Sequence, residues 1–175
     1  MNINSTKFKD LKLLKFKKFS DLRGDVIKIL NKKNKSIKFR CHESYISSSK
    51  KGTIRGLHGQ IGKFSQAKII YCIKGKALDV AIDLRKNSKT YGKYFSCVLS
   101  EKDNKSIFIP PGFAHGFLCL KKENIVVYSC TNYRDKQSEA GIQWNDPSLK
   151  IKWPIKKPIL SLKDKKNSLF SFYFS

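Results

Sequence analysis

The run Lys68-Ile69-Ile70-Tyr71-Cys72-Ile73-Lys74-Gly75-Lys76-Ala77-Leu78-Asp79-Val80-Ala81-Ile82-Asp83-Leu84 decides how this chain is read. Two apolar stretches flank Lys74-Gly75-Lys76. Each is short, and both are rich in β-branched residues. With a glycine turn between them they predict a β-hairpin, strands over 68–73 and 78–84. Working outward, the same texture recurs. Residues 26–30 and 36–47 predict strands upstream, and 94–99, 106–109, 114–120 and 125–133 predict strands downstream. Helix is scarce, with residues 7–17 the one candidate. Many short strands separated by turns predict an all-β fold, a double-sheet barrel or jelly roll.

Composition agrees with a folded globule. The 175 residues are 40% hydrophobic and 12% aromatic, which disfavours a disordered chain. No apolar run is long enough to span a bilayer as a helix. Residues 7–19 interleave lysine with Phe and Leu and lack the unbroken apolar core of a signal peptide, so a cytoplasmic protein is expected. The five cysteines, Cys41, Cys72, Cys97, Cys119 and Cys130, form no CxxC pair. They read as reduced thiols, not as a disulfide frame or a zinc site. The net charge of +24 raises the question of nucleic acid. Yet the excess is dispersed lysine, with only five arginines, so neither a nucleic-acid nor a membrane partner is expected. A positive field would help capture an anionic substrate. The aromatic C-terminal tail, 168–175, is expected to pack on its own barrel or on a neighbouring subunit.

The chain has three histidines, and two lie beside glycines. One is in Arg55-Gly56-Leu57-His58-Gly59-Gln60, the other in Pro110-Pro111-Gly112-Phe113-Ala114-His115-Gly116. A neutral imidazole is the usual base near pH 7. Strict strand alternation would send Arg55, Leu57 and Gly59 to one side, and His58 and Gln60 to the other. His115, after a Pro-Gly turn, is expected at a strand entrance near a barrel mouth. Lys68 could place an ammonium inside the barrel, where it would stabilise an oxyanion. Tyr128 lies mid-strand, facing core or lumen. Asp164, among lysines, looks like a surface residue. Three or four clustered inward donors would be needed for a catalytic metal, and the His58 motif offers too few, so none is expected.

Taken together and in order, several motifs resemble dTDP-4-dehydrorhamnose 3,5-epimerases. They are Arg55-Gly56-Leu57-His58-x-Gln60, Gln66-x-Lys68, Asp79-Val80-Ala81-Ile82-Asp83-Leu84-Arg85, Ile109-Pro110-x-Gly112-Phe113-Ala114-His115-Gly116-Phe117, Trp144-Asn145-Asp146-Pro147 and Leu160-Ser161-x-Lys163-Asp164. The match runs over residues 21–164 of a single domain spanning 1–175. It implies a cupin-type jelly-roll β-barrel and a homodimer that exchanges N-terminal strands, with no metal or organic cofactor. It also implies an NDP-4-keto-sugar epimerase of deoxysugar and polysaccharide biosynthesis. His58 falls on the base, Asp164 on the carboxylate that orients it, Tyr128 on the proton donor and Lys68 on the holder of the ketone oxygen. Arg23, Arg55, Gln60, His115, Glu139 and Lys163 fall on substrate-binding positions.

The resemblance breaks at particular residues. Lys28 stands where the family usually carries a glutamate. Glu43-Ser44-Tyr45-Ile46-Ser47 aligns with a Gln-x-Asn-x-Ser segment that helps hold thymine, which makes Glu43 and Tyr45 candidate nucleotide-binding residues. A Tyr-Tyr pair becomes Tyr133-Arg134. A carboxylate can accept from the N1–H and amino group of guanine, so a GDP-linked deoxyhexose or deoxyheptose is an expected alternative to a dTDP sugar. Inversion of C3, C5 or both is left open. The competing reading is a non-catalytic sugar-nucleotide-binding barrel.

Overall fold

The computed structural model describes residues 2–29 and 37–174. Thirteen strands dominate: β1 Asn2–Ser5, β2 Lys12–Lys15, β3 Lys18–Asp21, β4 Gly24–Ile27, β5 Glu43–Lys50, β6 Ile54–Gln60, β7 Lys68–Lys74, β8 Lys76–Asp83, β9 Tyr94–Ser100, β10 Lys105–Ile109, β11 Phe113–Cys119, β12 Glu123–Cys130 and β13 Glu139–Gly141. Two short helices follow, α1 Leu162–Lys165 and α2 Phe170–Phe174. A six-stranded sheet, β1-β2-β10-β7-β12-β5, faces a five-stranded one, β13-β6-β11-β8-β9. Every strand pairing within the sheets is antiparallel, so the jelly-roll expectation stands.

The unbroken apolar runs have a physical cause: the central strands are covered on both faces. From β7, Ile70 and Cys72 point between the sheets and meet Phe113, Phe117 and Cys119 of β11. Its alternate residues, Ile69 and Tyr71, pack with Leu14, Phe16 and Phe108 on the outer face of the larger sheet. The outer face of the smaller sheet is covered by the C-terminal segment, where Ile142, Leu149, Trp153 and Phe170 meet Val80 and Ile82. The aromatic tail thus packs partly on its own barrel. Phe170 lies 5.5 Å from Tyr91, ring to ring, while Phe172 is exposed.

Four local expectations need correction. β7 and β8 are consecutive but do not pair, because β7 joins β10 and β12 while β8 joins β11 and β9. Gly75, at φ +81°, turns the chain from one sheet to the other instead of closing a hairpin. Residues 7–17 are not helical. The Thr6 hydroxyl accepts from the Phe8 N–H and donates to the Leu11 carbonyl, making a turn that drops Phe8 and Leu11 into the core before β2. The strand expected over 36–47 begins at Glu43 and runs to Lys50, paired residue for residue with β12. The strand expected over 26–30 is β4, ending at Ile27. Leu30 and Ser36 lie outside the described residues.

β3 and β4 form a separate two-stranded hairpin. It carries Phe19, Leu22 and Val26 exposed, and Arg23 at its turn, bonded to Asp21.

Candidate active site

His58 is set by a break in strand alternation. On β11, His115 and Phe117 are two residues apart, yet their partners on β6, His58 and Arg55, are three apart. One extra residue in β6 makes a bulge, and Arg55 and His58 therefore line the same cavity. This overturns the expectation that they face opposite sides. The bulge needs Gly56: at φ +113°, a Cβ there would lie 2.6 Å from the His115 carbonyl oxygen. Arg55 reaches across to β5, its Nε donating to Ser49 Oγ at 2.8 Å.

Asp164 is not a surface residue. The four-residue helix α1 is capped by Ser161, whose hydroxyl accepts from the Asp164 N–H. The turn buries the carboxylate against His58, with Nε2 to Oδ1 at 2.7 Å. With Nε2–H donated there, the basic lone pair of the ring is on Nδ1. Burial pushes the Asp164 pKa up, but the His58 hydrogen bond and charge outweigh it and hold the carboxyl below its ordinary value.

Glu139, on β13, lies 4.0 Å from the same Nε2. Burial opposes its charge, but hydrogen bonds from Arg134 and Lys163 prevail and lower its pKa. Arg134 Nε donates at 2.6 Å, and Lys163 Nζ bonds the other oxygen.

The opposite wall comes from the larger sheet. Tyr45 and Tyr128 are register partners on β5 and β12, and their rings stack at 4.6 Å. Burial drives the Tyr128 pKa well up, so its phenol keeps its proton. One row over, Glu43, Cys130 and Lys68 align across β5, β12 and β7. Lys68 is buried and forms no salt bridge among the described residues. Desolvation lowers its pKa against the pull of Cys130, Glu139 and Asp79.

The two walls enclose a groove of about 840 Å³, lined by His58, Tyr128, Asp164, Arg55, Lys163 and Tyr45 among others. A recess of about 90 Å³ adjoins it, and its lining adds Gln60, Lys68, His115 and Glu139. Glu43, Arg134, His58 and Tyr128 border both. His115 does not sit at a strand entrance. It is the third residue of β11, buried, with Nε2 bonded to Asp79 Oδ2 at 2.7 Å. The structure does not bring Arg23 to these cavities; it stays on the exposed hairpin. Three lining or supporting residues stood in the sequence motifs without a role assigned to them: Arg134, Asp79 and Gln66. An acid in the middle of the apolar β8 run was the available signal for Asp79. Among the described residues, no three His, Cys, Asp or Glu side chains converge as metal ligands.

The family model described as dTDP-4-dehydrorhamnose 3,5-epimerase matches residues 5–171. The chain belongs to that family. The enzyme of that name from Shigella flexneri is 38% identical over 170 residues, covering 94% of this chain and 93% of the relative. That of Methanothermobacter thermautotrophicus is 40% identical over 153 residues, 84% of this chain and 82% of the relative. The crystal structure of the epimerase from Elizabethkingia anophelis superposes with a TM-score of 0.93 at 36% identity, covering 100% of this chain and 99% of that one. A Legionella pneumophila epimerase in complex with dTDP-4-keto-L-rhamnose gives 0.92 at 35% identity, covering 97% and 93%. The protein is an isomerase of the epimerase type with a cupin-type jelly roll.

Proposed function

We propose that this epimerase inverts C3, C5 or both in a nucleoside-diphosphate-linked 4-keto-6-deoxy sugar. One observation carries the reading: His58 from one sheet and Tyr128 from the other line a single cavity, and Lys68 lines it with them. A 4-ketone acidifies the adjacent C–H bonds, since either carbanion delocalises onto the same oxygen. His58 takes the proton, oriented by Asp164. The electron pair moves to the carbonyl oxygen, where the Lys68 ammonium meets the growing charge. Tyr128 returns a proton from the other face, and the carbon is inverted. No net electron transfer occurs, so the reaction calls on no redox carrier. A non-catalytic barrel would have no use for a buried lysine and a base–carboxylate dyad aimed at one cavity.

Arg55 and Lys163 border the open groove and are suited to the diphosphate. Arg23 cannot serve the cavity of its own chain from its place on β3–β4. We assign it to the site of a second copy in a homodimer. The exposed Phe19, Leu22 and Val26 and the open edge of β5 support such an exchange.

The nucleotide has two candidates. Relatives carry thymidine nucleotides: the Bacillus anthracis epimerase was solved with TDP and pyrophosphate. GDP is raised by Lys28 in place of an acid. Glu43 supports it less than its sequence position suggested, because its carboxylate borders the recess of the catalytic side chains. Calorimetric titration with dTDP and GDP separates them. Incubating the enzyme with NDP-4-keto-6-deoxy sugars in heavy water tests the reaction: deuterium should enter at C3, C5 or both, and none should enter with His58→Asn. Unchanged exchange in that variant would remove His58 as the base.

A further inference from the structure

Two departures from the family pattern, far apart in sequence, converge on one wall. Glu43 starts β5 and Arg134 follows β12, and both border the groove and the recess beside His58 and Tyr128. The Glu139 hydrogen bond is the main cause that raises the Arg134 pKa, and the charge of Glu43 adds to it, yet no salt bridge joins Glu43 to Arg134 among the described residues. Arg134 uses Nε on Glu139, which leaves its terminal nitrogens for another acceptor. The Glu43 carboxylate receives no side-chain hydrogen bond among the described residues. In the same recess Gln66 Oε1 is buried without a partner. A donor pair and two acceptors therefore border one small recess, together with His58, Lys68 and Tyr128. A methyl group there would leave the buried Gln66 Oε1 unpaired and would crowd water from Glu43 and Arg134 without replacing its hydrogen bonds.

We infer that Glu43 and Arg134 form a specificity site for a hydroxyl-bearing substituent on the sugar. The class of substrate is a 4-keto sugar nucleotide that carries a hydroxyl beyond those of a 4-keto-6-deoxyhexose, such as a 6-deoxyheptose with its terminal hydroxyl. That hydroxyl donates to Glu43 or Gln66 and accepts from Arg134. The inference rests on the epimerase reading and deepens it.

The test compares two 4-keto sugars on the same nucleotide, one ending in methyl and one in hydroxyethyl. Binding is measured by calorimetry on His58→Asn, which holds substrate without turnover. The hydroxyethyl sugar should bind at least tenfold tighter. Adding Glu43→Gln and Arg134→Tyr, the residue types of the family pattern, should reduce that ratio to near one with the thermal midpoint little changed. Equal binding of the two sugars, or a preference that survives both substitutions, would overturn the inference. Deuterium exchange by the unmodified enzyme is read separately. An intact binding ratio without exchange would count against the epimerase reading alone and leave the specificity site standing.

Discussion

His58 donates to the Asp164 carboxylate at 2.7 Å across 106 residues of chain, and that bond ties the C-terminal α1 to the middle of β6. The carboxylate fixes ring orientation and stabilises the imidazolium that forms on proton abstraction. Asp164→Asn should therefore keep substrate binding and lower the exchange rate in heavy water by about 10²-fold or more. Steady-state kinetics on a 4-keto sugar nucleotide checks it. A loss confined to KM would mean that Asp164 only helps to bind.

Tyr128 and His58 belong to opposite sheets, so their proton transfers are separable. Tyr128→Phe removes one hydroxyl from a buried ring and leaves the stack on Tyr45 in place. The base still pulls a proton and returns deuterium from its own side. The expected outcome is exchange without inversion: label enters the recovered substrate while product falls by at least about 10²-fold. Nuclear magnetic resonance of the recovered sugar reads both. Normal product formation would assign the acid elsewhere.

The sequence and the structure differ where contacts are long-range. The run from Lys68 to Ile73 announced a strand, and β7 is that strand, covered on both faces along most of its length. Gly75 announced a turn, but turn chemistry does not say which sheet receives the next strand. Arg55 and His58 were set apart by strict alternation, which one extra residue in β6 undoes. That bulge depends on the close approach of Gly56 to β11, a tertiary contact. Asp164 looked solvated because its neighbours are lysines, and its partner lies in another element. The catalytic residue types were legible through the resemblance; Arg134 was not assigned to the cavity because its loop has no periodicity to orient it.

Lys68 sets function against stability. Burial of its ammonium opposes the charged form, and no salt bridge among the described residues offsets that cost. An enolate oxygen arriving beside it supplies the missing charge. Lys68→Met should lower kcat by about 10²- to 10³-fold. The same change should raise the thermal midpoint, since an apolar side chain of similar length replaces a desolvated cation. Differential scanning calorimetry and kinetics on one preparation test both. A variant that melts earlier would show that the ammonium stabilises the fold.

Asp83 governs acid stability away from the cavity. Its carboxylate is fully buried at the end of β8, bonded by Arg85, Ser88 and Thr90. Burial raises its pKa, but these donors overcome that and bring it down to about 2. A pKa depressed in the fold means that the unfolded chain takes up the proton first. The stabilisation is fully present above the unfolded value near 3.8 and is lost as pH falls toward about 2. The difference corresponds to about 2 kcal/mol of stability at neutral pH. Asp83→Asn should be less stable than the unmodified protein at pH 7, and the gap should narrow between pH 4 and pH 2. Urea unfolding across that range measures it, and a gap that stays constant with pH would show that the network does not depend on the charge of Asp83.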